Sequence, residues 1–275
     1  MTNIIRIQNL IYTYPNGFTA LKGINIDIKK NDFVGIIGQN GAGKSTLLKN
    51  ITGLLKPTSG DVIVGGLNTK HTSVARLSTK LGFVLQNPDR QLFADTVYNE
   101  VSFGPKNLKL TEQEINERVE YALGYTGLSS VRDKFPPALS AGERAKVVIA
   151  SVIAMKPEII ILDEPTTGQD NRGCYQIMNI AKEFHKAGHT VIMVTHHMAL
   201  VAEYACRTIV FCKGEVLLDG STEEVFSQPE ILKKSYILPP QITQMGSELS
   251  TVLNRKKTYL TVSDLSKDIF TRYQG

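Results

Sequence analysis

The run Gly38-Gln39-Asn40-Gly41-Ala42-Gly43-Lys44-Ser45-Thr46 follows the apolar segment Phe33-Val34-Gly35-Ile36-Ile37 and precedes residues with helical spacing. Its pattern is GxxxxGK[ST], and each residue type in it has a chemical task. The glycines let successive backbone N–H groups converge on an anion at a helix N-terminus. Lys44 brings a point charge to β- and γ-phosphates, and Ser45 offers a hydroxyl to Mg²⁺. The bland rival is a glycine turn beside a solvated lysine; the strand before the run and the helix after it favour a phosphate-binding loop.

Two further clusters gain meaning beside that loop. Glu158-Ile159-Ile160-Ile161-Leu162-Asp163-Glu164 is a buried-strand run ending in two carboxylates. Such a strand delivers Asp163 to a water-coordinated Mg²⁺ and sets Glu164 where it reaches a water in line with a γ-phosphate. Taken alone, an acidic turn at a strand end is equally a surface feature. Leu139-Ser140-Ala141-Gly142-Glu143 opens a long helix, and Ser140 with Glu143 has the S-x-x-E spacing of a capping box. The same serine, Gly142 and the helix N-terminus can form a second anion site, presented to a nucleotide held by another subunit. The two readings are compatible, because such a site requires a capped helix end.

These groups need elements to hold them. Strand-like runs occur at Ile4 to Leu10, Gly23 to Ile28, Phe33 to Gly38, Asp61 to Val64, Gly82 to Gln86, Glu158 to Asp163, Thr190 to Thr195 and Arg207 to Leu218. Helical spacing appears in Leu47, Leu48, Ile51, Leu54 and Leu55, and again in Ile177, Ile180, Ala181 and Phe184. Strands alternating with helices predict an α/β fold with a parallel sheet covered on both faces. The first sixty or so residues instead predict short antiparallel strands, and Lys213-Gly214 predicts a hairpin turn. Residues from about 87 to 155 break the alternation: Thr111 to Leu123, with Thr111 and Glu114 at capping-box spacing, and Gly142 to Met155 both read as helices, which predicts an inserted helical lobe. Residues 1–225 are thus expected to form one domain. After about 225 the pattern weakens around Pro229 and Pro239-Pro240, leaving 226–275 as a small appendage or tail.

A phosphate loop, then LSxGE, then IIILDEP, then VTH resembles the nucleotide-binding subunit of ATP-binding cassette (ABC) transporters, over roughly residues 3 to 225. The resemblance implies a P-loop NTPase with a RecA-like parallel core, an N-terminal antiparallel β subdomain and an inserted α-helical subdomain. It implies Tyr14 as the aromatic on adenine, although Tyr12 lies two residues away, and Gln86 as the Mg²⁺ and coupling glutamine. It further implies Asp163 as the metal-side carboxylate, Glu164 as general base, and His196, rather than its neighbour His197, as the γ-phosphate histidine. The nucleotide would be ATP with Mg²⁺, held by Gly38, Gln39, Asn40, Gly41, Ala42, Gly43, Lys44, Ser45 and Thr46 and met from another subunit by Ser140 and Gly142. Thr167-Gly168-Gln169-Asp170 is similar to the loop through which two such subunits sense each other. The signature is commonly LSGGQ, whereas this chain has Ala141 and Glu143. A methyl group narrows the approach to phosphate, and a carboxylate adds negative charge there unless it folds back as a cap. Gln169 likewise stands where the family usually has an apolar residue.

Phe83 to Ala94, followed by Val101-Ser102-Phe103-Gly104-Pro105, is similar to the ATPases of energy-coupling factor importers, which serve cobalt, nickel and vitamins. That likeness implies a homodimer or a heterodimer with a related ATPase, a transmembrane coupling subunit, and a substrate-binding membrane subunit that chooses the cargo. It also gives Asp89, Asp95 and Glu100 a purpose toward a partner's arginines, against the alternative of solvated acids. Competing readings are the ATPase of another importer branch, or a soluble cassette protein acting on nucleic acid or ribosomes. No aromatic-basic stripe or second cassette is present, so no nucleic acid is expected.

Composition sets the frame. The 275 residues are 42 % apolar and 21 % charged, enough for a sizeable core, which excludes a disordered or collagen-like chain. Lys plus Arg number 31 against 26 Asp plus Glu, a net +5 that suits many anionic partners and selects none. The densest basic cluster, Arg255, Lys256 and Lys257, is too short for a polybasic tract. The longest apolar run, Val147 to Met155, falls short of the roughly 18–20 residues of a membrane span, and the start MTNIIRIQNL lacks an export signal. The expectation is a peripheral protein on the cytoplasmic face of a membrane, with Cys174, Cys206 and Cys212 as reduced core thiols.

Overall fold

The computed structural model describes residues 2–249 and 257–273, so Arg255 and Lys256 of the basic cluster lie outside the described residues. Strands β1 (Asn3–Thr13) and β2 (Thr19–Lys29) form an antiparallel sheet with β4 (Ser59–Val64) and β5 (Leu67–Asn68), in the order β2-β1-β4-β5. The first two strands are longer than their sequence pattern suggests. In β1 the register shifts between Ile7 and Leu10, and Asn9 sits there in the left-handed region at φ 47°, so the alternation of buried residues restarts and one strand reads as fragments.

The second sheet holds β3 (Phe33–Gly38), β6 (Leu81–Val84), β7 (Ile159–Asp163), β8 (Thr190–Val194), β9 (Arg207–Cys212) and β10 (Glu215–Ser221), ordered β10-β9-β3-β8-β7-β6. All its pairings are parallel except β10 with β9. The parallel strands, unlike the more exposed β10, are largely buried on both faces, which is why they read as continuous apolar runs. Period-two alternation sorts them between two cores. Val34, Ile36, Ile159, Ile161, Ile192 and Val194 face the antiparallel sheet and helix α1 (Lys44–Ile51). Ile160, Leu162, Val191 and Met193 face the helices on the other side.

After the four-residue α2 (Val74–Leu77) and β6, the chain makes α3 (Val97–Asn107), α4 (Glu112–Thr126) and α5 (Ala141–Ala154) before returning to the sheet at β7. No strand interrupts residues 88–155. Helices α6 (Asn171–Lys186) and α7 (Met198–Tyr204) complete the alternation. Helix α1 is shorter than its apolar spacing: it stops at Ile51 because Gly53 turns left-handed at φ 74°, leaving Leu54 exposed. The expectation of three core thiols is corrected: Cys174 is buried, but Cys206 is exposed and Cys212 half-buried, and all three are free.

Beyond β10 lie α8 (Thr222–Phe226), α9 (Pro229–Leu232), α10 (Gln241–Glu248) and α11 (Val262–Tyr273). Phe226, Leu232 and Ile237 join the helix-side core, and Tyr259 is fully buried. Among the described residues no helix is long and apolar enough to cross a membrane.

Candidate active site

Strand β3 runs between β9 and β8, and the glycine-rich loop leaves its carboxyl end to enter α1. Two glycines are required by geometry. At Gly38, φ is 153° and a Cβ would fall 2.4 Å from the Phe211 carbonyl oxygen of β9; at Gly43, φ is 107° and a Cβ would lie 2.9 Å from the Ala20 carbonyl oxygen. The loop is propped by the β9–β10 hairpin. Lys213 and Gly214 both have positive φ, as a two-residue turn demands, and the Gly214 N–H donates to the Ala42 carbonyl at 3.0 Å.

Lys44 folds across this loop, its Nζ donating to the Gly38 carbonyl at 2.6 Å and the Gln39 carbonyl at 3.1 Å. Burial holds its ammonium below the usual lysine range, opposed by the carboxylates of Glu164 and Asp163. Asp163, the last residue of β7, is shifted upward, first by burial and then by the adjacent Glu164, with Lys44 and Lys49 countering. A buried site with a strained acid-base balance is what a highly charged ligand can relieve.

Glu164 adopts a left-handed backbone at φ 50°, anchored by its N–H to the Val194 carbonyl at 2.8 Å. Its Oε1 accepts from His196 Nδ1 at 2.8 Å, while Oε2 is buried with no hydrogen-bond partner among the described residues. His197 stacks on His196 at 5.1 Å and is absent from the cleft lining.

Tyr14, Asn40, Gly41, Ala42, Gly43, Lys44, Ser45, Thr46, Gln86, Asp163, Glu164 and His196 line one cleft of about 400 Å³. Gly38 and Gln39 lie beside it, with their carbonyls on Lys44. Tyr14 reaches the Thr46 hydroxyl through its own at 3.0 Å, whereas Tyr12 is buried and packs edge-on against the Tyr14 ring. Phe18 was not singled out by the sequence, yet it is 60 % exposed and lines the same cleft. The signal was the turn that carries it: the Tyr14 N–H donates to the Phe18 carbonyl, so the two aromatics leave one hairpin tip.

The donor set suits Mg²⁺. The side chains of Ser45, Gln86 and Asp163 line the same cleft, with Glu164 beside them. Among the described residues no cluster of three or more His, Cys, Asp or Glu could cage a metal alone. Mg²⁺ asks for less, one or two carboxylates plus phosphate and water oxygens.

Ser140 and Gly142 do not line this cleft. Glu143 does fold back: its Oε2 accepts from the Ser140 N–H at 2.9 Å and the Ser140 hydroxyl at 2.7 Å, and the Glu143 N–H donates to Ser140 Oγ at 3.3 Å. Those bonds from Ser140 hold its carboxyl below the usual range. Ala141 faces a neighbouring cavity of about 590 Å³, shared with Gln86, Asp163 and Gln169. Gln169 Oε1 sits 3.2 Å from where a Gly142 Cβ would be and 3.1 Å from that of Gly173, threading between the starts of α5 and α6.

The segment after Gln86 is fastened to its own chain. Gln91 bonds the Leu85 N–H and the Phe83 carbonyl, and Asn87 Oδ1 accepts from the Asp89 N–H. The three acids implied to face a partner's arginines are already engaged. Asp89 pairs with Arg144 at 2.7 Å, and Asp95 accepts from Asn99. Glu100, 4 % exposed, accepts the Phe93 and Ala94 N–H groups at 2.9 and 2.8 Å. Glu100→Ala strands both amides and is expected to cost about 2 kcal/mol in denaturant unfolding; a loss below about 0.5 kcal/mol would show that water replaces the carboxylate.

The parallel sheet, the glycine loop and the carboxylate-bearing strand beside it define a P-loop nucleotide-binding protein of RecA-like core, flanked by an antiparallel sheet and a helical insertion. The ABC transporter family profile matches residues 21–167. The chain belongs to the ABC transporter family. The energy-coupling factor transporter ATP-binding protein EcfA of Methanocaldococcus jannaschii is 40 % identical over 255 residues, covering 92 % of this chain and 90 % of that one. The solved structure of cbiO1 from Clostridium perfringens, part of the ABC transporter complex cbiONQ, aligns with a TM-score of 0.79 at 39 % identity, over 91 % of this chain and 100 % of that chain. A longer relative from Caldanaerobacter subterraneus subsp. tengcongensis is 42 % identical over 95 % of this chain, which spans only 45 % of that relative's length.

Proposed function

We propose that this chain binds and hydrolyses ATP to power an energy-coupling factor type importer, for cobalt or nickel ion or a vitamin, from the cytoplasmic face of a membrane. One observation carries the reading: Lys44, Gln86, Asp163, Glu164 and His196 converge on one cleft while Ser140 and Gly142 stand outside it, so a second subunit completes the site. That subunit is another copy or a related ATPase, and the pair docks on a transmembrane coupling subunit and a substrate-binding membrane subunit. The likeness to EcfA and to cbiO1 supports this branch.

Within the cleft the roles follow from placement. The amides of Gly41 to Thr46 and the Lys44 ammonium hold the β- and γ-phosphates at the start of α1. Ser45, Gln86 and Asp163 would hold Mg²⁺, which when bound neutralises phosphate charge. Tyr14 stacks on the adenine. Glu164 orients a water and takes its proton as the water oxygen attacks the γ-phosphorus, releasing ADP and inorganic phosphate. His196 keeps that carboxylate in place through Nδ1–H and, in its imidazolium form, donates Nε2–H to the γ-phosphate.

Purification from detergent-solubilised membranes tests the assignment. The chain is expected to co-purify with integral membrane proteins and to hydrolyse ATP in that complex. A chain that stays in the soluble fraction and binds polynucleotide with a steep salt dependence would overturn it in favour of a non-transport cassette protein.

A further inference from the structure

We propose that Asp89 and Arg144 are a positioning pair for ATP hydrolysis, locking the segment that follows Gln86 to the first turn of α5 so that Gln86 and Ser140 hold a fixed relation. The inference rests on the reading above, in which Ser140 meets the nucleotide of a second subunit. Arg144 reaches two acceptors at once. Its Nε donates to Asp89 Oδ1 at 2.7 Å, and its Nη1 reaches back over the helix start to the Leu139 carbonyl at 2.6 Å. Leu139 immediately precedes Ser140, whose N–H and hydroxyl are in turn fixed by Glu143. On the other side, Asp89 belongs to a turn tied by Asn87, and Gln91 clips that turn to the backbone of β6. Hydrogen bonds and short backbone links therefore connect the end of β6 to the signature serine, across 55 residues of sequence at the Arg144–Asp89 step.

The pair is poorly suited to a stabilising role. Asp89 is 59 % exposed at its side chain and Arg144 24 %, and an ion pair so open to water adds little to folding. What it supplies is direction. A guanidinium presents donors in a rigid fork, and here Nε serves the carboxylate while Nη1 serves the carbonyl; a lysine would offer a single nitrogen in place of these two fixed positions. Small displacements of groups that must meet a reacting phosphate reduce turnover strongly while leaving binding intact.

Steady-state hydrolysis and nucleotide binding are to be measured on the full chain carrying Arg144→Lys, Asp89→Ala or both, beside Ser140→Ala. Each of the first two is expected to lower kcat about tenfold with ATP affinity and melting temperature unchanged, and the double variant to be no worse than either single one. Amide exchange at residues 140–143 is expected to quicken in Asp89→Ala, a readout far from the substituted residue. Rates within twofold of wild type for both single variants, or losses that simply multiply, would overturn the pairing. If Ser140→Ala loses turnover while Arg144→Lys does not, only the pair's role fails; if Ser140→Ala is fully active, the composite site itself fails and the pair with it.

Discussion

Glu164→Gln is expected to leave ATP binding intact and to lower steady-state hydrolysis by about 10² to 10⁴-fold, the range lost when a positioned general base is removed. The effect should be confined to the chemical step. Glutamine has the same shape, and its amide oxygen can still accept from His196 Nδ1, now at 2.8 Å from Glu164 Oε1, so the histidine need not move. With the carboxylate replaced by an amide, the side chain cannot take a proton from water. Because ATP would persist in the cleft, the variant should also accumulate as an ATP-dependent dimer, visible by light scattering. Hydrolysis within a few-fold of wild type would remove Glu164 from the base role.

Lys44→Met should have the second large effect, with a sign on stability opposite to that on function. The methionine keeps an apolar stem without the ammonium, and ATP affinity and turnover should both collapse, by about 10²-fold or more, as the phosphate loop loses its one buried cation. The protein without nucleotide should nonetheless be no less stable. Burial is the largest influence on the Lys44 ammonium and disfavours its charged form in the folded chain. Its bonds to the Gly38 and Gln39 carbonyls are the opposing loss. Thermal melts decide the point. The wild type should gain about 2.7 kcal/mol at ATP a hundredfold above its Kd, and Lys44→Met should gain no more than about 0.4 kcal/mol at the same ATP concentration. A nucleotide-dependent stabilisation equal to that of the wild type would contradict the role of Lys44.

Much of this was legible in the residues. The central strands declared themselves because burial on both faces leaves unbroken apolar runs, and the loop at Gly38 to Thr46 because anion binding at a strand-to-helix turn tolerates few residue types. Capping boxes at Thr111 and Ser140 were readable from spacing alone and both formed. What stayed hidden depended on partners distant in sequence. The bulge at Asn9 disguised the length of β1, and the periodicity of Leu54 and Leu55 outran a helix that Gly53 had ended. Phe18 entered the cleft through a hairpin tip with no motif of its own. The acids at 89, 95 and 100 looked available to a partner; the structure engages them within the chain, because the N–H groups of Phe93 and Ala94 and the Arg144 guanidinium needed acceptors.

The placement of Gln169 binds three positions into one inherited unit. Its side-chain oxygen lies so near both glycines that a methyl group on Gly142 or Gly173 would stand 3.2 or 3.1 Å from it and press it aside by a few tenths of an ångström. An alanine arriving at either glycine meets a side chain that must retract, and a shorter residue at 169 leaves a gap between two helix starts. In lineages that drift at one of these sites, change at the others should follow, so that the loop at residues 167–170 and the start of α5 diversify together rather than separately.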